Sequence, residues 1–138
     1  MELPLMKYKQ GYKYQLYKNE VFQTYIKPKM MIKTEYITLT PQGLLIIEKG
    51  YAWDGPSGPT FDTKSFMRGS LAHDAFYQML REGHLPQAWR RDADRELVNI
   101  CKEDGMWKVR AWWVYKGVRM FAASAASKDN VKKVLTAP

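Results

Sequence analysis

The apolar periodicity of the chain changes once, across GYAWDGPSGPTFD (Gly50–Asp62), and that change limits what the chain can fold into. Before it, YKYQLYKNEVFQTYI and MMIKTEYITLTPQGLLIIEKGYAW are rich in Tyr, Ile, Thr and Val. Turn residues at Asn19-Glu20 and Pro41-Gln42-Gly43 punctuate them, so they read as strands paired in hairpins. After Asp62 the spacing becomes helical, predicting helices near Ser65–Glu82, Gln87–Asp104 and Trp107–Ala123, broken by REGHLPQ and EDGM. The expected fold is α+β, a small N-terminal antiparallel β-sheet followed by three C-terminal helices. Its parts are a strand-rich 1–52, a Gly/Pro loop 53–64, a helical 65–123 and a polar, basic tail 124–138. A chain of 138 residues, 46% of them hydrophobic, can bury one sizeable core, and a single domain is expected.

Charge and cysteine usage narrow the function classes. Lys and Arg outnumber Asp and Glu by 22 to 14, and the resulting +8 favours an anionic partner such as a phosphate polymer, a phospholipid surface or an acidic protein. The lone Cys101 excludes an internal disulfide framework, fits a reducing compartment and sits in an apolar pattern that reads as a buried thiol. No apolar run reaches the roughly 18 residues of a membrane span, and the N-terminus MELPLMKYKQGYKYQ lacks the apolar region of a signal peptide. Ser57 and Ser70 do not lie in Gly-x-Ser-x-Gly, and neither His-Glu-x-x-His nor Cys-x-x-Cys occurs, which sets aside serine-triad and zinc-finger readings.

Placed on a wheel at about 100° per residue, Leu71, Ala72, Ala75, Phe76, Met79 and Leu80 fill one half of the first helix. His73 falls at the edge of that half with Tyr77 one turn further along, and Asp74 points away. On the second helix Ala93, Leu97, Val98, Ile100 and Cys101 form an apolar arc that contains Asp94 and excludes Asp92. A carboxylate on a buried face requires a partner, for which His73, Arg68 and Arg91 are the candidates. If a buried Asp holds the Nδ1 proton of a histidine and the other ring nitrogen faces a cleft, the pair makes a general base. The alternative is that His73 packs or caps and Asp94 pairs with an arginine. Between the two halves, WDGPSGPTFD offers Asp54, Gly55, Ser57, Gly58 and Asp62 as a rigid turn whose oxygens suit a hard cation or whose amides suit an anion.

Three further features carry less. MWKVRAWWVYKGVRMF interleaves Trp107, Trp112 and Trp113 with Lys108, Arg110, Lys116 and Arg119, a pattern usable on lipid headgroups or nucleic acid. At helical spacing Val109, Trp113, Gly117 and Met120 read instead as core. The Tyr/Lys alternation of KYKQGYKYQLYK reads as an edge strand guarded by lysines, and no specific nucleic-acid motif is present. His84, after Gly83, is expected in an exposed turn.

YAWDGPSGPTFDTKSFMRGSLAHDAFYQMLREG, RRDADRELVNICKEDG and VRAWWVYKGVRMFAAS together resemble, over about residues 30–125, the family called domain of unknown function 1353 of tailed phages and prophages. The resemblance implies a phage-encoded protein, located in the host cytoplasm or the virion, with virion proteins among its partners. A more distant similarity is to the secretory sn-2 phospholipases, in the order Gly55, Gly58 and Pro59, then His73, Asp74 and Tyr77, then Asp94, Arg95 and Cys101. That similarity implies a catalytic set of His73, Asp94 and Tyr77, with His73 as the base and Asp94 holding its tautomer. It also implies calcium bound by Asp74 with carbonyls of Gly55 to Gly58, assisted by Asp54 or Asp62. The expected function is hydrolysis of an ester or similar bond in a host envelope component, such as a lipid. The alternative is a non-enzymatic phage accessory or virion structural protein that binds an acidic partner.

Overall fold

The computed structural model describes residues 14–53 and 64–121, which belong to two compact units. The candidate loop residues Asp54, Gly55, Ser57, Gly58 and Asp62, the stretch 1–13 and the tail from 122 lie outside the described residues.

In the first unit the strands are β1 (Tyr14–Gln15), β2 (Glu20–Gln23), β3 (Ile32–Lys33), β4 (Ile37–Leu39), β5 (Leu44–Ile47) and β6 (Ala52–Trp53). They form an antiparallel β2-β5-β4-β3 sheet and a β1-β6 pair. The side-chain period of two is plain in β5, where Leu45 and Ile47 are fully buried while Leu44 and Ile46 are half-exposed. Register places Phe22 and Leu39 on either side of Leu45, and this cross-strand row is the centre of the sheet's buried face. β4 and β5 join through the expected Pro41-Gln42-Gly43 turn. Gly43 there has φ +88°, and a Cβ would lie 2.4 Å from the Thr24 carbonyl oxygen, so both conformation and space require glycine.

The Asn19-Glu20 turn does not make a hairpin. β1 pairs with β6 and β2 with β5, and Glu20 already opens β2. Asn19 works sideways, its Oδ1 accepting the Lys49 backbone N–H at 2.7 Å, which ties the chain before β2 to the turn after β5. Tyr14 stacks at a tilt on Trp53, ring centroids 5.6 Å apart, across the β1-β6 pair.

The second unit contains α1 (Lys64–Arg81), α2 (Arg90–Glu103) and α3 (Lys108–Phe121), with a 3-10 turn at Gln87–Trp89 leading into α2. The α+β order of strands followed by three helices is thus present. Both helix stops are glycines at positive φ closing a paired C-terminal motif. At Gly83 (φ +80°) the amides of Gly83 and His84 bond Leu80 and Met79; at Gly105 (φ +102°) those of Gly105 and Met106 bond Lys102 and Cys101. Every apolar residue assigned to the inner half of α1 is buried, as are Ala93, Leu97, Ile100 and Cys101 on α2. No helix among the described residues is long and apolar enough to cross a membrane.

α3 corrects the sequence reading. Ala111, buried, and the half-buried Val114 and Val118 pack on Leu97, Cys101 and Met106, whereas Val109, Trp113 and Met120 are exposed. A four-residue link follows α2, and the face of α3 that packs on it is a seam of small side chains. The indoles consequently face outward, with Trp107 82% exposed and Lys116 Nζ 5.3 Å from the Trp112 ring.

Candidate functional site

α1 and α2 run antiparallel, as the contacts of Gly69 with Leu97 and Cys101 and of His73 and Tyr77 with Asp94 show, and they pack tightly at Gly69. A Cβ there would lie 2.8 Å from Cys101 Sγ and 2.9 Å from Leu97 Cδ1, so glycine sets the spacing. One turn along α1 from Gly69, His73 meets Asp94; one turn further, Tyr77 reaches the same carboxylate. A helical period of 3.6 therefore delivers two polar groups to one acceptor.

Asp94 is wholly buried and its two oxygens are shared among three helices. Oδ1 accepts from His73 Nε2 at 2.7 Å and from the Tyr77 hydroxyl at 2.6 Å; Oδ2 accepts from Arg119 Nη1, on α3, at 2.8 Å. Burial alone raises the pKa of a carboxylate. Here the hydrogen bonds from His73 and Tyr77, with the charge on His73 and the bond from Arg119, outweigh it and hold Asp94 below its ordinary value. Burial and the bond to Asp94 push the Tyr77 hydroxyl well up, so it remains a donor. Tyr77 in turn accepts from Arg90 Nε at 3.3 Å, and Arg90 Nη2 donates to the Arg119 carbonyl at 3.0 Å, which closes the network.

The partner question for Asp94 resolves on His73, Tyr77 and Arg119. Neither Arg68 nor Arg91 supplies it: Arg68 pairs with Asp104 at 2.7 Å at the far end of α2, and Arg91 is exposed. Arg119 was missed because it lies 25 positions away on a helix whose inner face was read wrongly. With the correct seam its signal is visible, since it directly follows Val118 and borders the buried face. Arg90 had a simpler signal, one turn ahead of Asp94 on α2.

The ring nitrogen facing Asp94 is Nε2, where Nδ1 was expected. Nε2 is the distal nitrogen and spans the gap to α2, while Nδ1 stays near its own helix, 4.0 Å from Asp74 Oδ1. An ionised carboxylate only accepts, so Nε2 carries a proton toward Asp94, and in the neutral tautomer of the ring the lone pair lies on Nδ1. Among the described residues no hydrogen bond is made to Nδ1. His73 is 7% exposed, and its ring stacks on Tyr77, centroids 4.1 Å apart.

Calcium requires six or more oxygen ligands. Among the described residues no group of three or more His, Cys, Asp or Glu side chains converges, around Asp74 or elsewhere, so these residues do not make up a calcium site. Cys101 lies beside Gly69 with its thiol pushed up to about 12, by burial first and by Asp104 second, an inert buried sulfur as expected. Ser70 donates back to the Met67 carbonyl at 2.9 Å within α1, and His84 is an exposed turn residue near Glu82.

No family model, no curated protein and no solved structure matches the chain.

Proposed function

We propose that His73 is the general base of a phage-encoded hydrolase that cleaves an ester or similar bond in a host envelope component. The observation that carries this reading is the bond from Nε2 to buried, ionised Asp94, which leaves Nδ1 as the acceptor. A water on Nδ1 gives up its proton as its oxygen attacks the ester carbonyl. Asp94 stabilises the imidazolium that forms, and the same proton then passes from Nδ1 to the departing alkoxide. Tyr77 and Arg119 are positioning residues: they hold the carboxylate oxygens so that only one imidazole tautomer fits.

The test is ester hydrolysis, followed by proton or fatty-acid release from soluble esters and phospholipid vesicles, in wild type and His73→Gln. Glutamine preserves a donor toward Asp94 and removes the base. Loss of turnover with an unchanged fold supports the reading; equal rates in both proteins, or none in either, overturn it.

One observation favours a second reading, a non-enzymatic accessory or virion structural protein with an acidic partner, in the host cytoplasm or the virion. The Asp94 cluster joins all three helices, which is what a structural ion network does. On that reading His73→Gln lowers the melting temperature and abolishes no turnover.

A further inference from the structure

On α2 and the turn before it, Gln87, Ala88, Arg90, Arg91, Asp92 and Arg95, with Arg119 of α3, line an open depression of about 500 Å3. Four guanidiniums against one carboxylate give the lining a formal charge of +3. The four are not equivalent. Arg90 and Arg119 are fixed, by Tyr77 and the Arg119 carbonyl in one case and by Asp94 in the other. Arg91 and Arg95 are exposed and make no hydrogen bond or ion pair among the described residues. They stand four residues apart on α2, so their like charges repel along one helix face.

We propose that this depression binds the phosphate group of a phosphate ester. Guanidinium forks pair with phosphate oxygens two at a time, and a tetrahedral anion presents enough oxygens for four of them where a carboxylate does not. An anion seated between Arg91 and Arg95 relieves their repulsion, and the fixed pair is already oriented at no further entropic cost. The volume exceeds that of a phosphate, leaving room for an attached polar group such as glycerol. Among the described residues no aromatic side chain lines the depression, so a stacked base is not the occupant it fits. Arg119 touches both the depression and Asp94, so occupancy reaches His73 through a single side chain.

The experiment is a calorimetric titration with inorganic phosphate and with glycerol 1-phosphate, at ionic strength held constant with chloride. Wild type, Arg91→Ala/Arg95→Ala and Lys102→Ala/Lys108→Ala are compared; the last removes the same charge outside the depression. We expect binding in wild type, a loss of about tenfold or more in the arginine pair and less than about twofold in the lysine pair. Competition by vesicles of phosphatidic acid in phosphatidylcholine assigns the group to a lipid headgroup, and its absence to a soluble ester; either supports the site. No binding of the soluble phosphates, or equal losses in the two double variants, overturns it. His73→Gln binds phosphate within about twofold of wild type, so this site and the hydrolytic reading fail separately. In the proton spectrum, saturating phosphate shifts the His73 ring signals and leaves those of His84, the other of the two histidines, unchanged.

Discussion

Arg119 Nη1 and Asp94 Oδ2 are 2.8 Å apart, and this pair connects the last helix to the carboxylate on which His73 depends. Asp94 is fully buried while Arg119 keeps about a quarter of its side chain in solvent, so the two ends differ in what their removal does. Arg119→Met strands a buried charge and is expected to cost about 3–5 kcal/mol. Arg119→Lys restores the charge without the fork and recovers part of that loss. Urea unfolding of the three proteins reads the order directly; equal midpoints would falsify the structural weight given to the pair.

Acid stability follows from the same carboxylate. The pKa of Asp94 is lowered in the folded state, so its contribution is fully present above the ordinary carboxylate value of about 3.9 and fades as pH falls through the folded value. Wild type is therefore expected to lose stability as pH falls below about 4 more steeply than Asp94→Asn, which is less stable at neutral pH and flatter in acid. Melting temperatures across that range check the sign, and parallel curves would rule it out.

At the α1–α2 crossing, Gly69→Ala pits two effects against each other. Alanine gains about 1 kcal/mol of helix propensity, while its methyl group collides with Leu97 and Cys101. Overpacking against Cys101 Sγ, Leu97 Cδ1 and the Leu97 carbonyl costs about 1–3 kcal/mol, so the net change is expected to be destabilising. Because the crossing sets the reach of His73 to Asp94, the variant also shifts the His73 ring resonances. A more stable Gly69→Ala protein contradicts the assigned contact.

Cys101 supplies a probe of opening. With its thiol pushed up to about 12 and its sulfur buried against α1, it is expected to resist a disulfide reagent at pH 8 in the folded protein and to react on addition of denaturant. Rapid labelling of the native protein would mean that α1 and α2 separate readily.

The outward tryptophans give the last test. Trp113→Ala is expected to change stability by less than about 0.5 kcal/mol, whereas Ala111→Asp, which puts a charge against Leu97 and Met106, unfolds the helical unit. A large loss from Trp113→Ala would return the indole to the interior.

Periodicity made most of this arrangement legible, and particular residues show why the rest was not. The inner halves of α1 and α2 follow from apolar spacing, because both helices bury large residues in regular rows. The need of Asp94 for a partner follows too, since a carboxylate inside an apolar arc demands a donor, but spacing leaves His73, Arg68 and Arg91 all open. α3 defeats the same rule: its inner seam is Ala111, buried, with the half-buried Val114 and Val118, smaller side chains in sum than the exposed Val109, Trp113 and Met120. Inward and outward faces are both apolar there, and packing on Leu97, Cys101 and Met106 chooses between them. Arg119 was lost with that choice. The nitrogen of His73 that faces Asp94 is likewise a matter of reach across a gap, which spacing along one chain does not encode. In the strand region, β-branched composition and the Pro41-Gln42-Gly43 turn located the stretch that holds β4 and β5, but the partners of β1 and β2 depend on pairings across 30 or more positions for β1 and more than 20 for β2.

On the hydrolytic reading, a carboxylate gripped by α1 and α3 while itself seated on α2 makes chemistry and cellular abundance one selectable trait. Random substitutions that loosen any of the three grips lower the amount of intact protein and the activity of what remains in the same step. A genetic screen for inactive variants will therefore recover Asp94, Tyr77 and Arg119 together with ordinary core positions. Only clones normalised to their soluble protein level separate the base from its supports, and among these His73→Gln is the variant expected to stand alone, abundant and inactive.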